Sequence, residues 1–312
     1  MAGLAFVAQA KLLAGVQPPA PSKASAAILP GSPPTPTPKP PPGSYPVTVQ
    51  SPEVPNGLVS GACLQFNPTG ADLHRTFFID PGHGGPDPGA TAGSVQESDL
   101  ALAVALQLKD QLRADGYHVV LTRTGDTSVA RLADSQVQNG VLTNTGVHLD
   151  ALARIACANA SRADALLSIH FNAFNDPSVG GSETYYDDTR DFAGDNLRLA
   201  NLLQAGLQAS FRKAGWQVPD RGVLSDASTG NTGLTPEAEA YGRLLLLGPP
   251  KAGWNDHPTQ MPGALVEPFF VSDPIEAQVA QSPEGRRAIA SGLEQGLIGF
   301  LASLAPAATA TP

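Results

Sequence analysis

Between residues 75 and 304, short apolar runs alternate with longer segments whose apolar positions recur every three to four residues. The runs RTFFID (75–80), HVVLTR (118–123), ALLSIHF (165–171), ETYYD (183–187) and ALVEPFF (264–270) are rich in β-branched and aromatic side chains and predict strands. Leu100, Val104, Leu108 and Leu112 fall on one face of a predicted helix. Leu199, Leu203, Leu207 and Phe211 do the same on a second, and Ile289, Leu293, Leu297 and Leu301 on a third. A shorter helix is expected over 149–161. Strands and helices in alternation predict an α/β fold: a single domain with a mixed, mostly parallel central sheet flanked by helices.

The N-terminal quarter has a different texture. Prolines crowd residues 18–55, including the run PGSPPTPTPKPPPGSYP, and this stretch has too few large apolar side chains to offset its ordering entropy. It predicts an extended, disordered tether. Before it, MAGLAFVAQAKLLAG is mildly apolar but short, and Lys11 interrupts it. Two readings fit this leader: a weak export signal with a small-residue cleavage pattern at Ala24, Ser25 and Ala26, or a disordered segment. The expected organisation is therefore a leader at 1–16, a Pro-rich linker at 17–74, a catalytic domain at 75–305 and a disordered tail at 306–312.

Nineteen Lys and Arg against 28 Asp and Glu give a formal net charge of -9, which argues against a surface that neutralises nucleic-acid phosphates or anionic lipid. No stretch reaches the ~18 uncharged apolar residues of a membrane span, so no stable membrane insertion is expected. The two cysteines, Cys63 and Cys157, lack the spacing of a zinc cluster and are too few for a disulfide framework. The default expectation is two free or buried thiols, with one bridge between them left open.

Chemistry concentrates at the ends of the predicted strands. IDPGHGGPDPGA places His83 in a tight Gly- and Pro-rich turn after the first strand, and Glu97 opens an amphipathic helix, where the helix N-terminus favours a carboxylate. SIHFNAF sets His170 at the end of an apolar strand, and ALVEPFFVSD sets Glu267 in another, where a buried charge calls for a partner. Ligands gather at the carboxyl ends of strands in open α/β sheets, so these four side chains can converge. Two histidines and a carboxylate suit zinc with one coordination position left for water. Spacing alone leaves a hydrolytic zinc site and a non-catalytic metal site equally open.

The motifs DPGHGG, QESDL, the Arg154, Ala158 and Asn159 element, SIHFNA, GSETYY and LVEPFFVSD, in that order, resemble the zinc-dependent N-acetylmuramoyl-L-alanine amidases of the type 3 amidase family. The resemblance implies Zn²⁺ held by His83, Glu97 and His170, and Glu267 as the catalytic carboxylate. It implies hydrolysis of the amide joining N-acetylmuramic acid to L-alanine in peptidoglycan, hence a muropeptide substrate and an extracytoplasmic location. A protein activator is left open.

Asn172, Trp254 and His257 are the candidate substrate contacts. Arg123, Asp126, Arg154 and Asn159 read as scaffold, and Tyr185 and Tyr186 as sheet packing rather than sugar platforms. The chain departs from the compact family pattern in its long 124–148 and 234–262 segments and in Pro268 after Glu267. Only about ten residues separate His170 from GSETYY, too few for the autoinhibitory helix of some division-associated relatives. Two rival readings are a non-catalytic peptidoglycan-binding or regulatory homologue, and a zinc amidase or deacetylase acting on a related amide.

Overall fold

The computed structural model describes residues 40–229 and 235–304. The predicted leader, the first part of the linker and the 306–312 tail lie outside the described residues. The five predicted strands form, each within a few residues of its expected bounds: β3 (Thr76–Pro81), β4 (His118–Leu121), β5 (Ala165–Ile169), β6 (Ser182–Tyr186) and β8 (Gly263–Glu267), with Pro268 ending β8 because it has no N–H to continue the ladder. Three more strands join them: β1 (Ser44–Pro46), β2 (Leu64–Phe66) and β7 (Asp220–Ser225). The sheet order is β1-β2-β4-β3-β5-β8-β6-β7. The central run β4-β3-β5-β8 is parallel, β6 is antiparallel to β8, and β7 is parallel to β6. The exits of β3, β5 and β8 therefore share one end of the sheet with the entrances of β6 and β7.

Helices cover both faces. Alternate side chains of β3 part company as the pleat requires: Phe77 and Ile79 pack with α1 (Glu97–Ala114), α3 (Ala193–Lys213) and α6 (Pro283–Leu304), whereas Phe78 packs with α2 (Asn144–Ser161). Helix α2 starts five residues before its expected beginning, because the Thr143 side chain accepts a hydrogen bond from Gly146 N and caps it. Two short helices, α4 (Pro236–Tyr241) and α5 (Pro274–Gln281), complete the set. Helix α6 lies against both α1 and α3. Gly206 and Gly292 let α3 and α6 touch, since a Cβ on Gly206 would come within 2.2 Å of the Gly292 carbonyl oxygen.

Two sequence expectations are corrected. Residues 40–74, assigned to the linker, belong to the folded domain: β1 and β2 extend the sheet, and Val54, Ala62, Leu64 and Phe66 are buried in its cores. Sparse apolar residues suffice there because they dock onto a surface already built by β4 and α2. Cys63 and Cys157 are not thiols. They form a disulfide that bolts this N-terminal arm to α2 across a sequence separation of 94.

Candidate active site

His83 leaves β3 in a turn that only glycine neighbours permit. Its own φ is +58°, followed by +120° at Gly84 and +63° at Gly85. Two buried guanidiniums hold the turn by its carbonyls. Arg154, from α2, donates to Pro81 O and His83 O as well as to Asp80 and Asp150, and Arg123 donates to Pro81 O, Gly82 O and Ser98 O. Asp126 accepts from Gly85 N at 2.7 Å. The expected scaffold residues of this turn are thus its clamp. Asn159 is scaffold elsewhere, bonding the 257–260 segment from the end of α2.

Glu97 is the first residue of α1 and is buried. Its Oε1 stands 3.1 Å from His83 Nε2 and 2.8 Å from His170 Nδ1, and the two imidazoles meet edge to face. His170 follows β5 directly. The remaining contacts fix orientation: Glu97 accepts from Ala90 N and Phe171 N, and Asp87 sits 2.7 Å from His83 Nδ1. A carboxylate behind a ligating imidazole sets its tautomer and ring plane. Burial would push the Glu97 carboxyl up, but the two imidazoles overrule it and hold it well below the usual carboxylate range. Space for this arrangement depends on Gly82 and Gly89. A Cβ on Gly82 would lie 2.4 Å from the His170 ring, and one on Gly89 2.5 Å from Glu97 Oε2. The two imidazole nitrogens and one carboxylate oxygen fall within 4.8 Å of one another, a set that could hold one metal ion.

Glu267 ends β8 beside this cluster, 1% exposed. Among the described residues neither of its carboxylate oxygens has a hydrogen-bond partner. Burial first, then the negative charges of Glu97 and Glu183, push its pKa well above the ordinary value, with His83 pulling partly the other way. Glu183 lies directly opposite it across the β6–β8 pair. Sequence reasoning passed over this second carboxylate, although an ionisable residue in a buried strand is the same signal that marked Glu267. Unlike Glu267, Glu183 is fully engaged, accepting from Asn172 Nδ2, Tyr185 OH and Arg221 Nε.

The three expected substrate contacts each have partners within the fold. Asn172 is buried, with its amide nitrogen on Glu183 and its oxygen on Ala173 N, so it braces the site. Trp254 stacks on His148, one ring 3.9 Å from the other, on the flank of α2. His257 is 61% exposed and paired with Glu53 of the N-terminal arm, near the entrance of β8 rather than its exit. Tyr185 is buried in the sheet, as expected.

Comparison with known proteins gives the family. A family model described as N-acetylmuramoyl-L-alanine amidase matches residues 77–298. The chain belongs to that family. Among the amidases, the germination-specific N-acetylmuramoyl-L-alanine amidase of Bacillus subtilis (strain 168) is 27% identical over 226 residues, covering 72% of this chain and 79% of the relative. AmiC of Neisseria meningitidis serogroup B is 30% identical over 236 residues, 71% of this chain and 51% of that protein, so the chain spans about half its length. The crystal structure of the N-acetylmuramoyl-L-alanine amidase of Clostridium difficile 630 aligns with a TM-score of 0.52 at 27% identity, covering 74% of this chain and 98% of the other. The amidase match begins at Phe77, so the arm that carries β1, β2 and Cys63 lies in front of the matched residues.

Proposed function

We propose that this chain hydrolyses the amide between N-acetylmuramic acid and L-alanine in peptidoglycan, with zinc held by His83, Glu97 and His170. The donor set supports zinc: two imidazoles and one carboxylate, backed by Asp87, match a three-ligand catalytic site that keeps a position for water. Bound there, zinc supplies Lewis acidity toward the amide carbonyl and lowers the pKa of a water. The chain's own residues do the rest. Gly82 and Gly89 leave room for the imidazoles and Glu97 to close in, and the Arg123 and Arg154 clamps keep the His83 turn from relaxing.

One observation carries the reading. A carboxylate is buried beside the cluster with both oxygens unpaired, an arrangement that is costly unless the group has work to do. Its raised pKa suits a proton carrier. Glu267 accepts the proton of the attacking water at one carboxylate oxygen and delivers it to the leaving alanine nitrogen.

The disulfide supports an oxidising, extracytoplasmic setting, where such bonds persist and where the polymer lies. Among the described residues no helix is long and apolar enough to cross a membrane. The test is digestion of a defined muropeptide by the full chain, with and without chelator and with zinc restored. Free stem peptide bearing an L-alanine amine, lost on chelation and regained with zinc, is the expected product. Deacetylated glycan would reassign the amide, and no product from zinc-loaded protein would remove the activity.

A further inference from the structure

The lining of the site is strongly acidic. Asp87, Glu97, Glu183 and Glu267 all converge there, and the whole chain carries a formal net charge of -9. Arg123 and Arg154, the guanidiniums that clamp the His83 turn, are buried and committed to carbonyls and carboxylates of the fold. Arg221 is different. It stands at the entrance of β7, the same end of the sheet as Glu267, and its side chain is 34% exposed.

Its placement is fixed from two sides. Nε donates to Glu183 Oε2 at 2.7 Å, and the guanidinium carbon sits 5.1 Å from the centre of the Phe270 ring. Phe270 is three residues beyond Glu267 and bridges to Asn172, which itself bonds Glu183. Among the described residues the two Nη groups make no hydrogen bond. A guanidinium pinned at Nε and stacked on a ring presents its two Nη groups as a ready fork for a carboxylate, with little rotamer freedom left to lose.

We propose that Arg221 is a specificity-determining residue that takes a carboxylate on the peptide side of the scissile amide. This rests on the amidase reading of the site. The glycan side of that amide is neutral, whereas the stem peptide carries carboxylates, so the peptide is the part of the substrate that gives a cation a counter-charge. The side also agrees. Glu267 passes its proton to the leaving nitrogen, and Arg221 lies beyond Glu267 with Glu183 between them. The nearest carboxylate outward from the L-alanine nitrogen is the α-carboxyl of the second stem residue, an isoglutamate that some walls leave free and others convert to the carboxamide.

The experiment compares two substrates that differ by that one group, each with the γ-carboxyl tied into the next peptide bond as in the wall: N-acetylmuramoyl-L-alanyl-D-isoglutamyl-L-lysine and the corresponding D-isoglutaminyl-L-lysine. Zinc-loaded full-length protein should favour the acid in kcat/KM by about tenfold to a hundredfold, the range expected for a charge-assisted hydrogen-bonded pair, chiefly through KM. Arg221→Gln should bring the ratio to within about twofold of one, and Arg221→Lys should keep part of it as a point charge. A merely structural role would lower both substrates together and leave the ratio standing, which overturns the proposal. So does a wild-type protein that cuts both substrates equally, a result that needs no variant and leaves the amidase reading intact. Cleavage of neither substrate by zinc-loaded wild type removes both.

Discussion

Replacing Glu267 with Gln separates activity from stability, because the native carboxylate is destabilising where it stands. Both oxygens are buried and unpaired, and Glu97 and Glu183 add like charge. General acid–base help of this kind is worth ~10²- to 10⁴-fold, so the variant should lose two to four decades in kcat, about 3–5 kcal/mol of barrier, while keeping its zinc. Its stability should move the other way. Relieving an unsatisfied buried charge is worth about 1–3 kcal/mol, or roughly 2–10 °C in Tm for a domain of this size.

The pH dependence checks the cause. A carboxyl whose folded-state pKa is raised keeps a proton that the unfolded chain releases, so wild-type stability falls as pH climbs above the ordinary Glu value, and the Gln variant lacks that slope. In metal-stripped protein the Tm gain should be present near pH 8 and vanish near pH 4. Muropeptide turnover, elemental analysis and thermal unfolding at the two pH values measure all three quantities. Turnover within tenfold of wild type would remove Glu267 from the reaction, and equal Tm values at pH 8 would show that its carboxylate is not the strained group inferred here.

Alanine at His83 or His170 should abolish zinc binding along with activity, and a fully loaded variant by elemental analysis would show the ligand set to be wrong. Gly89→Ala places a methyl 2.5 Å from Glu97 Oε2 and 2.6 Å from the His83 ring, at a residue whose φ is +66°, and should lower zinc affinity at least tenfold while circular dichroism stays native. Full zinc affinity in that variant would mean the cluster is looser than drawn. Removing the Cys63–Cys157 bond by a double Ser substitution frees a loop of 94 residues and should cost roughly 4–5 kcal/mol, read as a lower Tm that reductant no longer changes. An unchanged Tm would mean that the arm docks without the bond.

The central strands were legible because they are buried on both faces: ALLSI and GALVE are wholly interior and read as largely apolar runs broken only by Ser168 and by Glu267 itself. β7 was not, since DRGVLS lies at the sheet edge, contains Gly222 and alternates no apolar face. β1 hid among prolines, and both β1 and β2 are only three residues long and stabilised by docking rather than by local preference. That His83, His170 and Glu267 can converge was readable because all three fall at or near the exits of parallel strands, while Glu97 was readable as the start of α1. What surrounds them was not. Glu183 faces Glu267 only through an antiparallel pairing that β6 makes after a crossover, and the spacing of Cys63 and Cys157 carries no sign of proximity.

The helix that presents Glu97 is backed by the last helix of the domain, with Gln111 of α1 bonded to Ser291 of α6. A growing polypeptide therefore lacks the outer support of the Glu97 helix until α6, which begins at Pro283 and ends at Leu304, has been made.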